Sequence, residues 1–99
     1  MELRFEWDKK KNIKNQKKHG VSFETAEKFF FDLMRYEEYD EEHSLFEDRW
    51  RTIGAAGMFI LKVIFTERNK VIRIISANKA DKNEEEEYFY GYGTKNSKR

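Results

Sequence analysis

Three arginines interrupt segments that otherwise alternate like β-strands, and their type and spacing suit the binding of an anion. Arg73 lies within the apolar segment Val71–Ser76, on the predicted face opposite Ser76, and Arg49 and Arg51 share one face of an earlier segment. A guanidinium on a sheet needs solvent, a partner or a ligand, since burying it alone is costly. The residues therefore predict either an open, solvated sheet face or a site where planar arginines bind phosphate.

A lysine-rich segment that ends in a histidine is the second candidate for chemistry. Lys9–His19 contains six lysines, and a cationic segment of this kind is a candidate for contact with nucleic acid. Histidine is the side chain best suited to proton transfer near neutral pH, so His19 is a candidate catalytic residue. The competing interpretation is a solvated helix face with an inert histidine.

The remaining residue types exclude several chemistries. The chain has no cysteine, which excludes disulfides, thiol nucleophiles and zinc–thiolate sites. The histidines lack ligand spacing and the acids occur in runs such as Glu84–Glu87, so we predict no metal and no cofactor. Tyr88 could donate a hydrogen bond during catalysis or simply pack its helix against the sheet, and His43 is interpreted as a loop residue.

These side chains belong to one small chain with an uneven distribution of charge. The net charge of the 99 residues is +1, but residues 1–20 carry seven Lys or Arg against three acids, and residues 81–90 carry five acids against one Lys. The length predicts a single domain over residues 1–90, followed by a polar, frayed tail over residues 91–99. The sequence has no signal-peptide pattern and no membrane-length apolar run, so we expect a cytoplasmic protein with no membrane contact.

Apolar periodicity and turn residues predict an α+β fold in the order β-α-α-β-β-β-α, with an antiparallel sheet packed against helices. The predicted elements are a strand at Leu3–Trp7, a helix at Lys9–His19 between Asp8 and Gly20, a helix from Phe23 to Leu33 capped by Ser22, a loop at Tyr36–Asp48, strands at Arg49–Ile53, Met58–Thr66 and Val71–Ser76, and a helix within Ala77–Tyr90. Turns are predicted at Gly54–Gly57 and Glu67–Lys70, and Asn78 or Asp81 caps the last helix.

Four groups of residues within residues 3–90 keep a specific order and spacing, although each alone is a weak signal. They are Phe5-Glu-Trp7-Asp8, Asn15 to Glu24 with Ala26, Glu47-Asp-Arg49 before Ile53-Gly54, and Arg73 to Ala77 with Ala80, Glu84 and Tyr88. Together they resemble the BrnT toxin family. The chain departs from the family pattern at Asn78, where a basic residue is frequent, and in its acidic last helix, where arginines are common.

The resemblance implies a RelE-like fold and metal-independent cleavage of RNA, in which the RNA's own 2′-hydroxyl attacks the adjacent phosphate. It also implies neutralisation by a BrnA-like ribbon-helix-helix antitoxin, in a heterotetramer that binds operator DNA. The catalytic set expected on this basis and from the residues above is His19, Glu47, Arg49, Arg73 and Tyr88. The expected RNA-binding set is Lys14, Lys17, Lys18, Arg51 and Lys79.

Two other classes of function fit the same residues. A non-catalytic RNA-binding module would keep the cationic strands without needing His19. A protein-interaction module would use the opposite charges of the two ends to dock a partner. A cleavage assay separates an enzyme from the first, and competition between RNA and the protein partner separates it from the second.

Overall fold

A computed structural model of the protein describes residues 3–97, with the side chains of residues 3–90. Its elements are β1 (Arg4–Glu6), α1 (Lys9–His19), α2 (Phe23–Lys28), a 3₁₀ turn (Phe29–Phe31), β2 (Tyr36–Tyr39), β3 (Trp50–Ala56), β4 (Phe59–Arg68), β5 (Val71–Lys79) and α3 (Lys82–Ser97). The α+β class predicted from the sequence is confirmed. The predicted tail over residues 91–99 lies outside the residues whose side chains are described.

The five strands form one sheet in the order β1-β5-β4-β3-β2. β1 runs parallel to β5 and the other neighbours are antiparallel, so the prediction of a purely antiparallel sheet is wrong. β2 lies within the segment predicted to be a loop. The strand was missed because acidic residues replace the alternating apolar residues that predict a strand. These acids are partnered by β3, where Thr52 donates to Glu37 and Arg51 donates to Glu38.

The core lies on one face of the sheet, beneath α2 and the 3₁₀ turn. Phe23, Phe29 and Phe30 are buried there with Phe65 of β4. The prediction that Leu33 continues this apolar stripe is wrong, since Leu33 is 92% exposed. The α-helix ends at Lys28, and the tighter 3₁₀ turn breaks the 3.6-residue period before Leu33 is reached.

Local signals at the helix ends are confirmed. Asp8 accepts a hydrogen bond from the backbone N–H of Lys11, and Gly20 ends α1 with a left-handed φ of 70°. Ser22 caps α2 by accepting from the N–H of Thr25. These contacts join residues three positions apart, so the sequence reveals them directly.

The last helix is capped by Asp81 and not by Asn78, because β5 continues through Lys79. Asp81 Oδ1 accepts from the N–H of Glu84 at 2.8 Å, and Glu84 Oε1 accepts from the N–H of Asp81 at 2.9 Å. This reciprocal pair is a capping box. It also fixes where the Glu84 side chain leaves the helix.

Gly54 is a packing residue within β3. The prediction from the sequence that Gly54 begins a turn is wrong. A Cβ at this position would lie 2.9 Å from Cδ2 of Phe29 and 3.1 Å from Cβ of Arg35. The glycine therefore lets the buried Phe29 ring rest on the strand. The hairpin between β3 and β4 turns at Gly57–Met58, where Gly57 has a positive φ. The hairpin between β4 and β5 turns at Asn69–Lys70, and both of these residues have a positive φ.

Candidate active site

The face of the sheet opposite α2 carries Arg49, Arg51 and Arg73, and we call it the arginine face. The strand register pairs Glu6 with Arg73 and Arg73 with Thr66. Arg49 comes one position before Trp50, which pairs with Phe65 and Tyr39, so Arg49 and Asp40 continue the same cross-strand row, and the N–H of Asp40 donates to the carbonyl of Arg49. Arg49 and Arg73 are therefore two strands apart, roughly 10 Å between backbones. This agrees with the sequence-based prediction that both arginines avoid the core.

A β-bulge changes which residues of β5 reach this face. Phe65 pairs with Ile74 but the preceding Ile64 pairs with Ser76, so Ile75 is the extra residue. The bulge reverses the alternation after Arg73, and Ser76 joins the arginine face. Simple period-2 alternation had placed Ser76 on the opposite face, and that prediction is wrong.

A cavity of about 530 Å³ opens on the arginine face, between β2 to β5 and the segment that follows β2. Its apolar floor includes Ile64 and Ile75. The charged and titratable side chains that line it are Glu38, Asp40, Glu42, His43, Arg49, Arg51 and Lys62. The cavity thus mixes cations, carboxylates and one imidazole.

Arg49 is the cation of this cavity with the weakest pairing. Its Nη2 lies 3.4 Å from Oε2 of Glu47, whose other oxygen lies 3.4 Å from Arg68. Its Nε is buried and has no hydrogen-bond partner within the described part of the chain. A guanidinium with an unmatched N–H gains more from a new acceptor than one whose donors are all paired.

Arg51 is neutralised by carboxylates from two elements. It pairs with Glu38 of β2 at 2.6 Å and with Glu87 of α3 at 2.8 Å, while Glu84 lies 3.6 Å away. The hydrogen bond to Glu87 is the main cause that raises the pKa of the Arg51 guanidinium. Lys62 is likewise paired with Glu84 at 3.1 Å.

These pairs correct the prediction that Glu84–Glu87 forms only a helix surface. Glu84 is buried and Glu87 half-buried against the arginine face, whereas Glu85 and Glu86 are exposed. The acids of α3 therefore adjoin the cavity and hold two of its cations. Arg51 consequently serves to fix α3 to the sheet.

Arg73 lies beside the cavity and pairs with Glu6 of β1 at 2.9 Å. Both side chains are largely exposed, at 41% and 53%. Such an exposed pair is weak and easily exchanged for another partner. Arg73 therefore remains accessible to an anion that spans the sheet toward Arg49.

His43 lines the cavity, although the sequence indicated only a loop residue. Its Nδ1 lies 3.0 and 3.2 Å from the two carboxylate oxygens of Asp40. The Asp-x-x-His spacing at 40–43 was visible in the sequence. What was not visible is the pairing of β2 with β3, which carries this spacing next to Arg49.

His19 and the lysines of α1 lie elsewhere. All of Lys14, Lys17, Lys18 and His19 are exposed, and α1 contacts β5 and α2. None of these four residues lines the cavity. Lys79, at the end of β5, places its Nζ 4.6 Å from the centroid of the Phe59 ring. The structure thus does not bring His19 together with Arg49.

Tyr88 is also remote from Arg49. Its hydroxyl donates to Asp32 Oδ2 at 2.6 Å, and the same oxygen accepts from the N–H of Ala55 at 2.8 Å. Ala55 is six residues along β3 from Arg49, roughly 20 Å. Burial and the hydrogen bond to Asp32 raise the pKa of the Tyr88 hydroxyl to about 12.

Fold and site together define a small α+β protein with a cavity of mixed charge on one face of its sheet. The family model described as the ribonuclease toxin BrnT of a type II toxin–antitoxin system matches residues 7–84. The protein therefore belongs to the BrnT family of ribonuclease toxins, whose activity implies an RNA substrate and an antitoxin partner. No curated protein sequence matches the chain. No helix among the described residues is long and apolar enough to cross a membrane.

Proposed function

We propose that this chain is an endoribonuclease toxin that cleaves RNA without a metal ion, by attack of a 2′-hydroxyl on the adjacent phosphate. The observation that carries the proposal is the cross-strand row with Arg49 and Arg73 on an accessible sheet face. Two guanidinium groups at this spacing suit two positions along a phosphodiester backbone. They also stabilise the extra negative charge of a pentacoordinate phosphorus.

The residues support different roles within this proposal. Arg49 binds the reacting phosphate, and Glu47 orients it through the pair between their side chains. Arg73 binds a neighbouring phosphate in exchange for Glu6. The exposed lysines of α1 and Lys79 extend the cationic surface along the RNA. Direct roles of His19 and Tyr88 in the reaction stay predictions, and neither residue lines the cavity.

The proposed reaction uses cationic and titratable side chains and needs no metal ion. Within the part of the chain that the structure describes, no group of three or more histidines and carboxylates is arranged to hold a metal ion. Attack by an internal 2′-hydroxyl needs phosphate-binding cations and proton transfer, both of which the side chains offer. We expect cleavage to persist in excess chelator, and complete loss that a divalent ion restores would contradict this mechanism.

The experiment that tests the proposed site compares Arg49→Ala and Arg73→Ala with Lys28→Ala. Lys28 is exposed at the end of α2, on the other side of the sheet, so its loss controls for charge alone. We expect each arginine variant to lose growth arrest and about a hundredfold in cleavage rate. Thermal unfolding should change little, since Arg73 is largely exposed. Full activity in either folded variant would show that the arginine face is not the site.

We further propose that the family resemblance extends to a RelE-like fold and a BrnA-like ribbon-helix-helix antitoxin. Such antitoxins dimerise, so the complex is expected to contain two toxins and two antitoxins and to bind operator DNA. An antitoxin that supplies carboxylates to Arg49 and Arg73 would compete directly with RNA. Cytoplasmic action on cellular RNA is part of the same proposal.

A further inference from the structure

We propose that His43, oriented by Asp40, is the residue that takes the proton from the attacking 2′-hydroxyl in the cavity of the arginine face. This inference rests on the proposed ribonuclease function and gives the reaction a base. Three observations carry it: the position of His43 at the cavity, its contact with Asp40, and the backbone bonds that hold its turn against Arg49.

The turn that carries His43 is fixed to the strand that carries Arg49. The N–H of Asp40 donates to the carbonyl of Arg49 at 2.9 Å. The hydroxyl of Ser44 accepts from the N–H of Arg49 at 2.9 Å and donates to the carbonyl of Asp40. These hydrogen bonds therefore hold the turn of His43 beside Arg49, although the two residues are six positions apart in the chain.

The contact with Asp40 determines which ring nitrogen can act. Asp40 side-chain oxygens lie within hydrogen-bond reach of Nδ1, and a carboxylate accepts but cannot donate. Nδ1 therefore carries the hydrogen in the neutral ring, and Nε2 keeps a free lone pair. The side chain of Asp40 is only 14% exposed, whereas that of His43 is 60% exposed. A half-buried carboxylate behind an accessible imidazole is the arrangement that general bases use.

Arg49 is the least neutralised cation of the cavity and is therefore the one available to bind a phosphate. Because His43 lines the same cavity, phosphate binding and proton transfer can occur in one place. Arg51 and Lys62 already have carboxylate partners. A phosphate held by Arg49 brings the ribose of the same nucleotide beside the turn at 40–43. The charged groups that face His43 are Glu38, Asp40, Glu42, Arg49, Arg51 and Lys62.

The proposed step balances as an internal transfer. The 2′-oxygen bonds to phosphorus while the bond from phosphorus to the 5′-oxygen breaks. The hydrogen of the 2′-hydroxyl passes to Nε2 of His43, and the departing 5′-oxygen takes a proton from water. The hydroxide left by that water takes the proton from His43, which returns the imidazole to its neutral form. The products are a 2′,3′-cyclic phosphate and a free 5′-hydroxyl, with no oxidant, metal or second substrate consumed.

The test measures cleavage of a short RNA by the purified chain and by His43→Ala, with Glu41→Ala as the control in the same turn. His43 and Glu41 are both exposed and Glu41 does not line the cavity, so neither substitution should unfold the protein, which circular dichroism can verify. We expect His43→Ala to slow cleavage by roughly 10² to 10⁴-fold, as loss of a general base does. Glu41→Ala should remain within a few-fold of the wild type. Equal rates for His43→Ala and the wild type overturn the assignment.

Asp40 is a positioning residue, and its test uses a spectroscopic readout. In Asp40→Ala, ¹⁵N shifts of the His43 ring should show loss of the single Nδ1–H tautomer, along with a slower reaction. Glu41→Ala, an exposed neighbour, is the control and should leave the ring unchanged. An unaltered tautomer in Asp40→Ala contradicts the positioning role.

A second measurement separates this inference from the proposed function. Titration with 3′-uridine monophosphate should shift the NMR signals of His43, while titration with uridine, which lacks the phosphate, should leave them in place. A wild-type chain that cleaves no RNA overturns the proposed function. The placement of His43 at a phosphate site then stands if the nucleotide shifts its signals and falls if it does not.

Discussion

Asn15 is buried on a helix that the sequence shows only as a basic, solvated segment. Its side-chain amide donates to the carbonyls of Val21 and Ala77 at 2.9 and 2.6 Å and accepts from the N–H of Ala77 at 3.2 Å. β1 ends at Glu6, so it does not reach this part of β5. The amide of Asn15 therefore supplies the hydrogen bonds that a neighbouring strand would otherwise make to the backbone of Ala77. The same bonds attach α1 to β5.

We predict that Asn15→Ala lowers the free energy of unfolding by about 1–3 kcal/mol, because it leaves buried backbone groups without partners. Gln16→Ala, at the exposed neighbouring position, is the control and should change stability by less than about 0.5 kcal/mol. Urea unfolding measures both. A wild-type stability for Asn15→Ala would mean that water replaces the amide.

The hydrogen bond between Tyr88 and Asp32 has its own signature at alkaline pH. Because folding raises the pKa of the Tyr88 hydroxyl from 10.0 to about 12, the bond stabilises the fold below pH 10 and is lost as the pH rises through 12. Tyr88→Phe should cost about 1 kcal/mol at neutral pH. We expect this difference from the wild type to shrink between pH 10 and 12, as measured by denaturant unfolding. A difference that stays constant over this range would contradict the assignment.

At the scale of elements, α3 is attached to the sheet by charge. Three carboxylates, on Glu38, Glu84 and Glu87, lie around the half-buried Arg51. Removing the arginine would leave Glu38 and Glu87 without this partner, while Glu84 would keep Lys62. The acids of α3, which depart from the family pattern, are thus paired with Arg51 of the sheet in this chain.

We predict that Arg51→Ala destabilises the protein by about 1–3 kcal/mol, because its carboxylate partners lose their donor. Arg73→Ala is the matched arginine loss with an exposed partner, and should cost less than about 1 kcal/mol. Thermal or urea unfolding of the two variants gives the comparison. Equal costs would show that the three-carboxylate cluster does not hold α3.

At the scale of the whole molecule, α1 and the first turns of α3 present opposite charges. The exposed lysines of α1 lie beside β5, while α3 brings its carboxylates to β2 and β3. The cationic helix and the acidic helix therefore lie against different strands of the sheet. Under the proposed function, a partner that silences the toxin covers the cavity of the arginine face or the lysines of α1.

We predict that the antitoxin covers the arginine face in a complex of two toxins and two antitoxins. Light scattering of the purified complex measures the stoichiometry, with the 12.1 kDa chain alone as reference. Chemical modification of arginines should spare Arg49 and Arg73 in the complex, while Arg4 at the far end of β1 serves as an internal comparison. A saturated complex that still cleaves RNA would place the antitoxin elsewhere.

The sequence by itself determined those features that depend on neighbours in the chain. The caps at Asp8, Gly20 and Ser22 were predictable because a cap bonds to residues three or four positions away. The shared face of Arg49 and Arg51 was predictable because a strand alternates regularly. The family was recognisable because several short groups keep their order and spacing.

Only the tertiary structure decided which of these side chains act together. β2 becomes a strand through acids that pair with β3, and the bulge at Ile75 reverses the face of Ser76. Arg51 meets Glu87, which lies 36 residues further along the chain. Such contacts depend on which strands pair when they are far apart in the sequence, and local periodicity does not determine that pairing. For the same reason, His43 joined the candidate site only when the pairing of β2 with β3 brought its turn to Arg49.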